Sequence, residues 1–251
     1  MTFVFPMAGE SRRFAQAGYR VPKFMLMVHG AALFDHAVGG FRAYFAEDRF
    51  VFITRDDAGA AFAARRCAAL GVAKADVVAL GRATSGQAET VFLGLEQASI
   101  GDDETIIIFN IDTFRPGYMK PGLVGDPSCA GYLEVFQGSG SGWSYVAEDP
   151  MAPGRVAAVA EKLPISELCC TGLYHFRKAG DFRWAWRHPA PAASEAEKRE
   201  RYVAPLYNAL IARGDHIAFT LVSPSDVVLC GTPQEYEKAG ASEETGHRLR
   251  P

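Results

Sequence analysis

The stretch Thr2-Phe3-Val4-Phe5-Pro6-Met7-Ala8-Gly9-Glu10-Ser11-Arg12-Arg13-Phe14 decides the architecture. Its apolar start reads as a buried strand, and the small and polar residues that follow read as a loop opening directly into a helix. Gly9 lets backbone N–H groups come close to a ligand, and a helix starting near Ser11 points its positive end at anions. Arg13, and Lys23 after Val21-Pro22, add full positive charge. A loop built this way suits a triphosphate. The plainer alternative is that Ser11 caps the helix and the arginines are solvated surface charge.

Outward from this loop, apolar runs bounded by turn residues recur at 3–5, 50–53, 77–80, 105–109, 132–136 and 218–222, and they read as buried strands. Helical patterns at 33–45, 58–70 and 88–97 lie between the early ones. The β-α-β-α rhythm predicts an α/β fold: a three-layer, Rossmann-like arrangement with a mostly parallel central sheet and right-handed crossovers. In the second half, residues 143–146 and 155–159 flank a turn with Asp149, Pro150, Pro153 and Gly154, which predicts an inserted β-hairpin on the substrate side of residues 130–180. The Gly/Ser run 137–142 is expected to be mobile. Residues 194–213 read as one or two helices with Glu195, Glu197, Lys198 and Glu200 on a solvated face. Trp184, Trp186, Tyr202 and Tyr207 read as core or interface. The expected organisation is a single domain over 1–239 with a flexible tail over 240–251.

Composition narrows the function classes. The chain has 251 residues, 49% hydrophobic and 22% charged, enough for a full core, and its net charge of −3 comes without a basic block. Nucleic acid is therefore excluded as an expected partner. The five cysteines have no CxxC spacing, and the six histidines no HxxxH or HExxH spacing, so neither a disulfide framework nor a zinc site is expected. The N-terminal residues lack the pattern of a signal peptide, and no apolar run is long enough to span a bilayer. A cytoplasmic location with reduced thiols follows as the expectation.

Met7-Ala8-Gly9-Glu10-Ser11-Arg12-Arg13-Phe14 with Pro22-Lys23 resembles the signature of sugar-phosphate nucleotidylyltransferases, roughly M-A-G-x-G-S-R-[FM] followed by P-K-x-L. The resemblance implies a nucleotide-diphospho-sugar transferase fold of the GT-A-like kind. It gives nucleotide-binding roles to Ala8, Gly9, Glu10, Ser11 and Arg12, a catalytic role to Arg13 on the triphosphate, and to Lys23 the offsetting of charge at the α-phosphate. Ser11 stands where the family has Gly, and Arg12 where it has Ser or Thr. Thr84-Ser85-Gly86-Gln87 resembles the turn that lies against the nucleobase, with Gly86 for close approach and Gln87 for the base edge. Its plainer reading is an ordinary loop before a helix.

Asn110-Ile111-Asp112, at the end of a buried strand, resembles the motif whose aspartate holds Mg²⁺, where a hard cation suits an oxygen donor. Glu161-Lys162 resembles the E-K-P element for the sugar and its phosphate, with Leu163 shifting the proline by one. Thr171-Gly172 resembles the glycine-containing strand of the sugar pocket. The D-x-G-T-P element is weak: Leu229 takes the aspartate position, and Asp226 is the nearest candidate second metal ligand.

These matches imply transfer of a nucleoside monophosphate from an NTP to a small phosphorylated acceptor, a sugar 1-phosphate foremost, with release of pyrophosphate. Asn-Ile-Asp-Thr-Phe-Arg-Pro and Cys-Thr-Gly-Leu-Tyr further resemble a bacterial subgroup found with capsule and surface-polysaccharide genes. Three alternatives stay open: a nucleotide-sugar-dependent glycosyltransferase, a CTP-dependent enzyme for a non-sugar phosphate, and an inactive nucleotide-sugar-binding module. A homo-oligomer is compatible with all of them.

Overall fold

Alternation along the first strand sets the layers. In a computed structural model that describes residues 1–192 and 194–249, β1 (Thr2–Pro6) sends Phe3 and Phe5 into one apolar cluster and Val4 into another on the opposite face. β2 (Arg49–Thr54), β3 (Ala75–Ala79) and β4 (Ile106–Phe109) lie parallel in the sheet order β3-β2-β1-β4. Phe50 and Phe52 join the first cluster, Val51 and Ile53 the second, so these strands are apolar on both faces, as a covered parallel sheet requires. Phenylalanines stack across neighbouring strands, Phe3 on Phe50 at 4.9 Å and Phe5 on Phe52 at 5.1 Å between ring centroids.

The sheet continues through β5 (Gly131–Gln137), β6 (Ser144–Glu148), β7 (Val156–Glu161), β8 (Leu168–Phe176) and β9 (Ile217–Val222), giving nine strands. β8 is antiparallel to β4, β5 and β6, while β5 and β9 pair in parallel. The expected hairpin is β6-β7, antiparallel. The result is an α/β fold around a central sheet whose first half is wholly parallel.

The helices are α1 (Arg12–Gln16), α2 (Leu33–Gly39), α3 (Asp57–Leu70), α4 (Gln87–Gln97), α5 (Ala179–Arg187), α6 (Glu195–Arg199), α7 (Tyr207–Arg213), α8 (Pro233–Ala241) and α9 (Glu243–Arg248). α2 and α3 cover one face, and α4, α5 and α7 the other.

One reading needs correction. The helix expected over 33–45 stops at Gly39, and a 3₁₀ turn, Arg42–Tyr44, replaces its end. The polar stretch from Gly240 carries the end of α8 and all of α9. Ser242 caps α9 by accepting the Thr245 N–H at 3.1 Å, and Leu249 packs against the core. Arg250 and Pro251 lie outside the described residues. The Gly/Ser run is tied at Gly140, whose carbonyl accepts the Tyr145 hydroxyl, and at Ser139, whose carbonyl accepts the Trp143 indole N–H at 3.3 Å.

Candidate active site

Beyond the carboxyl ends of β1 and β4 lies a cleft of about 1040 Å³, where open parallel sheets place ligands. The loop after β1 forms one wall. Ser11 sits in the left-handed region at φ 51° and makes no side-chain cap. Its hydroxyl instead accepts the Lys23 backbone N–H at 3.2 Å. That contact ties the phosphate loop to Lys23, whose ammonium pairs with Asp112 Oδ2 at 2.5 Å. The position that the family fills with Gly is therefore the one that needs a positive φ. Ala8 is buried beneath the loop, Gly9 and Glu10 are exposed, and Arg13 lines the cleft. Arg12 also borders it, but its guanidinium is turned to Glu10 at 2.5 Å and is largely solvated.

Asp112 follows β4 by a short turn and is anchored by its own carbonyl, which accepts the Cys230 N–H at 2.8 Å. Across from it is Gly231. A Cβ on that residue would lie 3.2 Å from Asp112 Oδ2 and 3.5 Å from Glu235 Oε2, so both carboxylates lie close against this glycine. These all-oxygen donors, open to further oxygens from phosphate and water, fit a hard divalent cation such as Mg²⁺. Among the described residues, no group of three or more His, Cys, Asp or Glu is placed to hold a metal by itself.

The second loop, before α4, holds Gly86 and Gln87. The Gln87 amide donates to the Asn110 side-chain oxygen. Gly86 has φ 149°, and a Cβ there would lie 2.5 Å from the Arg201 carbonyl oxygen. The close approach that requires this glycine is thus made by the chain itself: Ala88 N–H donates to Arg201 O at 2.9 Å, and Arg201 N–H to Ser85 O at 3.1 Å.

Glu161, the last residue of β7, and Lys162 directly after it also line the cleft. Glu161 is 4% exposed, and its carboxylate accepts the Ser144 hydroxyl. Burial pushes its pKa up to about 7, against the Ser144 hydrogen bond and the Lys162 charge, while Glu200 and Glu197 add repulsion. Lys162, at φ 54°, reaches the Tyr202 hydroxyl at 2.5 Å. Thr171 lies on the floor, buried, and donates to Glu134 Oε1 at 3.1 Å. Glu134 is also buried, held by Arg115 Nε at 3.1 Å, and burial raises its pKa. Gly172 packs against Asn110, whose N–H donates to its carbonyl at 3.1 Å.

The cleft thus brings together all the residues singled out in the phosphate loop, Lys23, Gly86, Gln87, Asp112, Glu161, Lys162 and Thr171. Gly172 stands one residue behind its lining. Asp226 is elsewhere: it is exposed and closes a 3₁₀ turn by accepting the Ser223 N–H at 3.1 Å. Asp226, the candidate second metal ligand, is not among the residues that line the cleft. Leu229 does border the cleft, and Glu235 offers the nearby carboxylate. In the sequence Glu235 is visible only as the partner of a Thr232 capping box, which it also is. Tyr202, taken for core, and Glu200, taken for a solvated face, both line the cleft.

Neither a protein-family model nor a curated protein matches the sequence. Among solved structures, the nucleoside-diphosphate-sugar pyrophosphorylase of Vibrio cholerae RC9 is 42% identical, with 94% of this chain and 98% of that chain covered and a TM-score of 0.86. A UDP-glucose pyrophosphorylase complexed with UDP-glucose is 17% identical over 95% of this chain and 96% of that one, at a TM-score of 0.74. The inositol-1-phosphate CTP transferase of T. maritima is 13% identical over 99% and 94%, at 0.72. The last two likenesses are of fold alone. No helix among the described residues is long and apolar enough to cross a membrane.

Proposed function

The chain belongs to the nucleoside-diphosphate-sugar pyrophosphorylase family, and from that premise we propose that it transfers a nucleoside monophosphate from an NTP to a sugar 1-phosphate. The observation that carries the reading is the cleft itself, whose lining gathers the cationic loop, the Lys23–Asp112 pair and Glu161-Lys162. In such a cleft a donor triphosphate and a phosphorylated acceptor would meet at Lys23.

An acceptor phosphate oxygen attacks the α-phosphorus in line, a new P–O bond forms, and the bond to the β-phosphate oxygen breaks to release pyrophosphate. Catalysis of this kind is mostly positioning and charge stabilisation. Arg13 binds the departing phosphates, and Lys23 offsets charge gathering at the α-phosphorus. Lys162 holds the acceptor phosphate, while Glu161 accepts from the acceptor's hydroxyls. Asp112, with Glu235 beside it, would hold Mg²⁺, which supplies positive charge to the phosphate oxygens when bound. The nucleotide-binding roles of Ala8, Gly9, Glu10, Ser11 and Arg12 belong to this proposal, as do those of Thr171 and Gly172 on the acceptor side. The activated sugar would serve capsule or surface-polysaccharide synthesis, a role that rests on the sequence resemblance alone.

Pyrophosphate release by purified protein with Mg²⁺, scanned over NTPs and sugar 1-phosphates, tests the reading. One active pair, silenced by Asp112→Ala, is the expected outcome. Tight binding of nucleotide-diphosphate sugars without any release would replace it with the glycosyltransferase or the binding module.

A further inference from the structure

The segment from Ser194 to Val203 touches both the loop that carries Gly86 and the Glu161-Lys162 pair. At the loop, the Arg201 backbone pairs with Ser85 and Ala88, at 3.1 and 2.9 Å, over the bare Cα of Gly86. Its guanidinium is stacked 3.7 Å from the Trp186 ring centroid, which braces the segment from behind. At the pair, Glu197 Oε1 accepts the Glu161 N–H at 2.8 Å. The Lys162 ammonium donates to the Tyr202 hydroxyl at 2.5 Å and sits 4.7 Å from the centroid of the same ring. Tyr202 in turn donates to Glu200 Oε2 at 2.6 Å. This chain of hydrogen bonds polarises each member toward the next. Glu161 Oε1 lies 3.9 Å from the same ammonium, beyond hydrogen-bond distance.

We propose that Tyr202 is a positioning residue for Lys162, and that the strap carrying it is seated on the nucleotide loop at Gly86, so that the acceptor-binding lysine is held in place from the nucleotide side. The inference rests on the acceptor role of Lys162 given above. A lysine has a flexible stem and rotatable donors, so an ammonium that must meet a phosphate gains from being held beforehand. The strap supplies that hold from a part of the sequence no motif marks. The left-handed backbone of Lys162 and the crowded Gly86 contact are the two conformational demands the arrangement makes.

The experiment combines kinetics with a readout that needs no turnover. Tyr202→Phe keeps the ring and removes the hydroxyl. It should raise KM for the acceptor phosphate about tenfold, equivalent to about 1.4 kcal/mol, and leave KM for the NTP within about twofold. In a Lys162→Ala background the same change should have no further effect, as coupled residues require. In a proton–nitrogen correlation spectrum of the lysine ammonium groups, the held Lys162 signal should be present in the wild type and lost in both Tyr202→Phe and Gly86→Ala.

An unchanged acceptor KM in Tyr202→Phe, or an equal rise in the Lys162→Ala background, overturns the positioning role. A Lys162 signal that survives Gly86→Ala overturns the seat. If no substrate pair releases pyrophosphate even in the wild type, the proposed reaction fails, and the ammonium spectrum alone still decides whether Tyr202 holds Lys162.

Discussion

Glu161 gives the reasoning a quantitative handle. Its carboxyl is buried and is repelled by Glu200 and Glu197, so despite the opposing Ser144 hydrogen bond and Lys162 charge its pKa rises from 4.5 to about 7. The folded protein therefore holds this proton more tightly than the unfolded chain. Below pH 4.5 both states are protonated and the group's stabilising contribution is fully present; as pH rises through about 7 it is lost. At about 1.4 kcal/mol per pH unit, the loss is on the order of 3 kcal/mol. Glu161→Gln keeps an oxygen for Ser144 and cannot ionise. Denaturant unfolding of both proteins between pH 4 and 9 should show the variant more stable at pH 8 by up to about 3 kcal/mol, with the gap closing toward pH 4.5. A gap that stays constant with pH, or widens toward acid, would refute the assignment of the cost to a buried, partly uncompensated carboxylate.

The other predictions concern the catalytic pair and the two faces of the sheet. Asp112→Asn frees Lys23 from its 2.5 Å partner and should lower the rate of pyrophosphate release by about 10²- to 10³-fold, read by a coupled phosphate assay; an unchanged rate removes Asp112 from the chemistry. Gly94→Ala would place a Cβ 2.2 Å from Ile53 Cδ1 and should destabilise the fold by about 1–3 kcal/mol, seen as a lower denaturation midpoint. His175 stacks on Tyr132 with both ring nitrogens buried and, among the described residues, without a hydrogen-bond partner. Burial lowers its pKa from 6.5 to about 4, so the neutral ring stabilises the fold above pH 6.5 and that contribution is lost as pH falls through about 4. His175→Phe should flatten this acid limb in pH-dependent thermal melts.

The parallel half of the fold is legible because its strands are buried on both faces: phenylalanines and aliphatics alternate between two clusters, leaving apolar runs too short for helices. Asp112 is legible for a related reason, since a carboxylate ending such a run has no core role to explain it. The strap is not legible in the same way. Glu197, Glu200 and Tyr202 look like a solvated face beside a core aromatic, and long-range contacts, the backbone pairing with Ser85 and Ala88 and the Glu197 bond to the Glu161 N–H, are what set this segment against the cleft. Glu235 escapes notice because one carboxylate does two things, closing the Thr232 cap and facing Gly231. For Asp226, sequence distance from the Gly-Thr-Pro element says nothing about the local 3₁₀ turn that its side chain closes.

The departure at Ser11 shows how a motif can change a residue and keep its geometry. A left-handed backbone costs a non-glycine residue roughly 1–2 kcal/mol. A buried or half-buried hydrogen bond returns roughly 0.5–1.5 kcal/mol, and the Ser11 hydroxyl makes one, to the Lys23 N–H at 3.2 Å. The two terms nearly cancel, so the serine holds the turn that a glycine would adopt freely. It also adds a link that a glycine lacks, from the phosphate loop to the residue whose ammonium meets Asp112. Arg12, the neighbouring departure, is neutralised by Glu10 on the solvent side, and Arg13 and Lys23 remain the cations that the loop commits to the cleft.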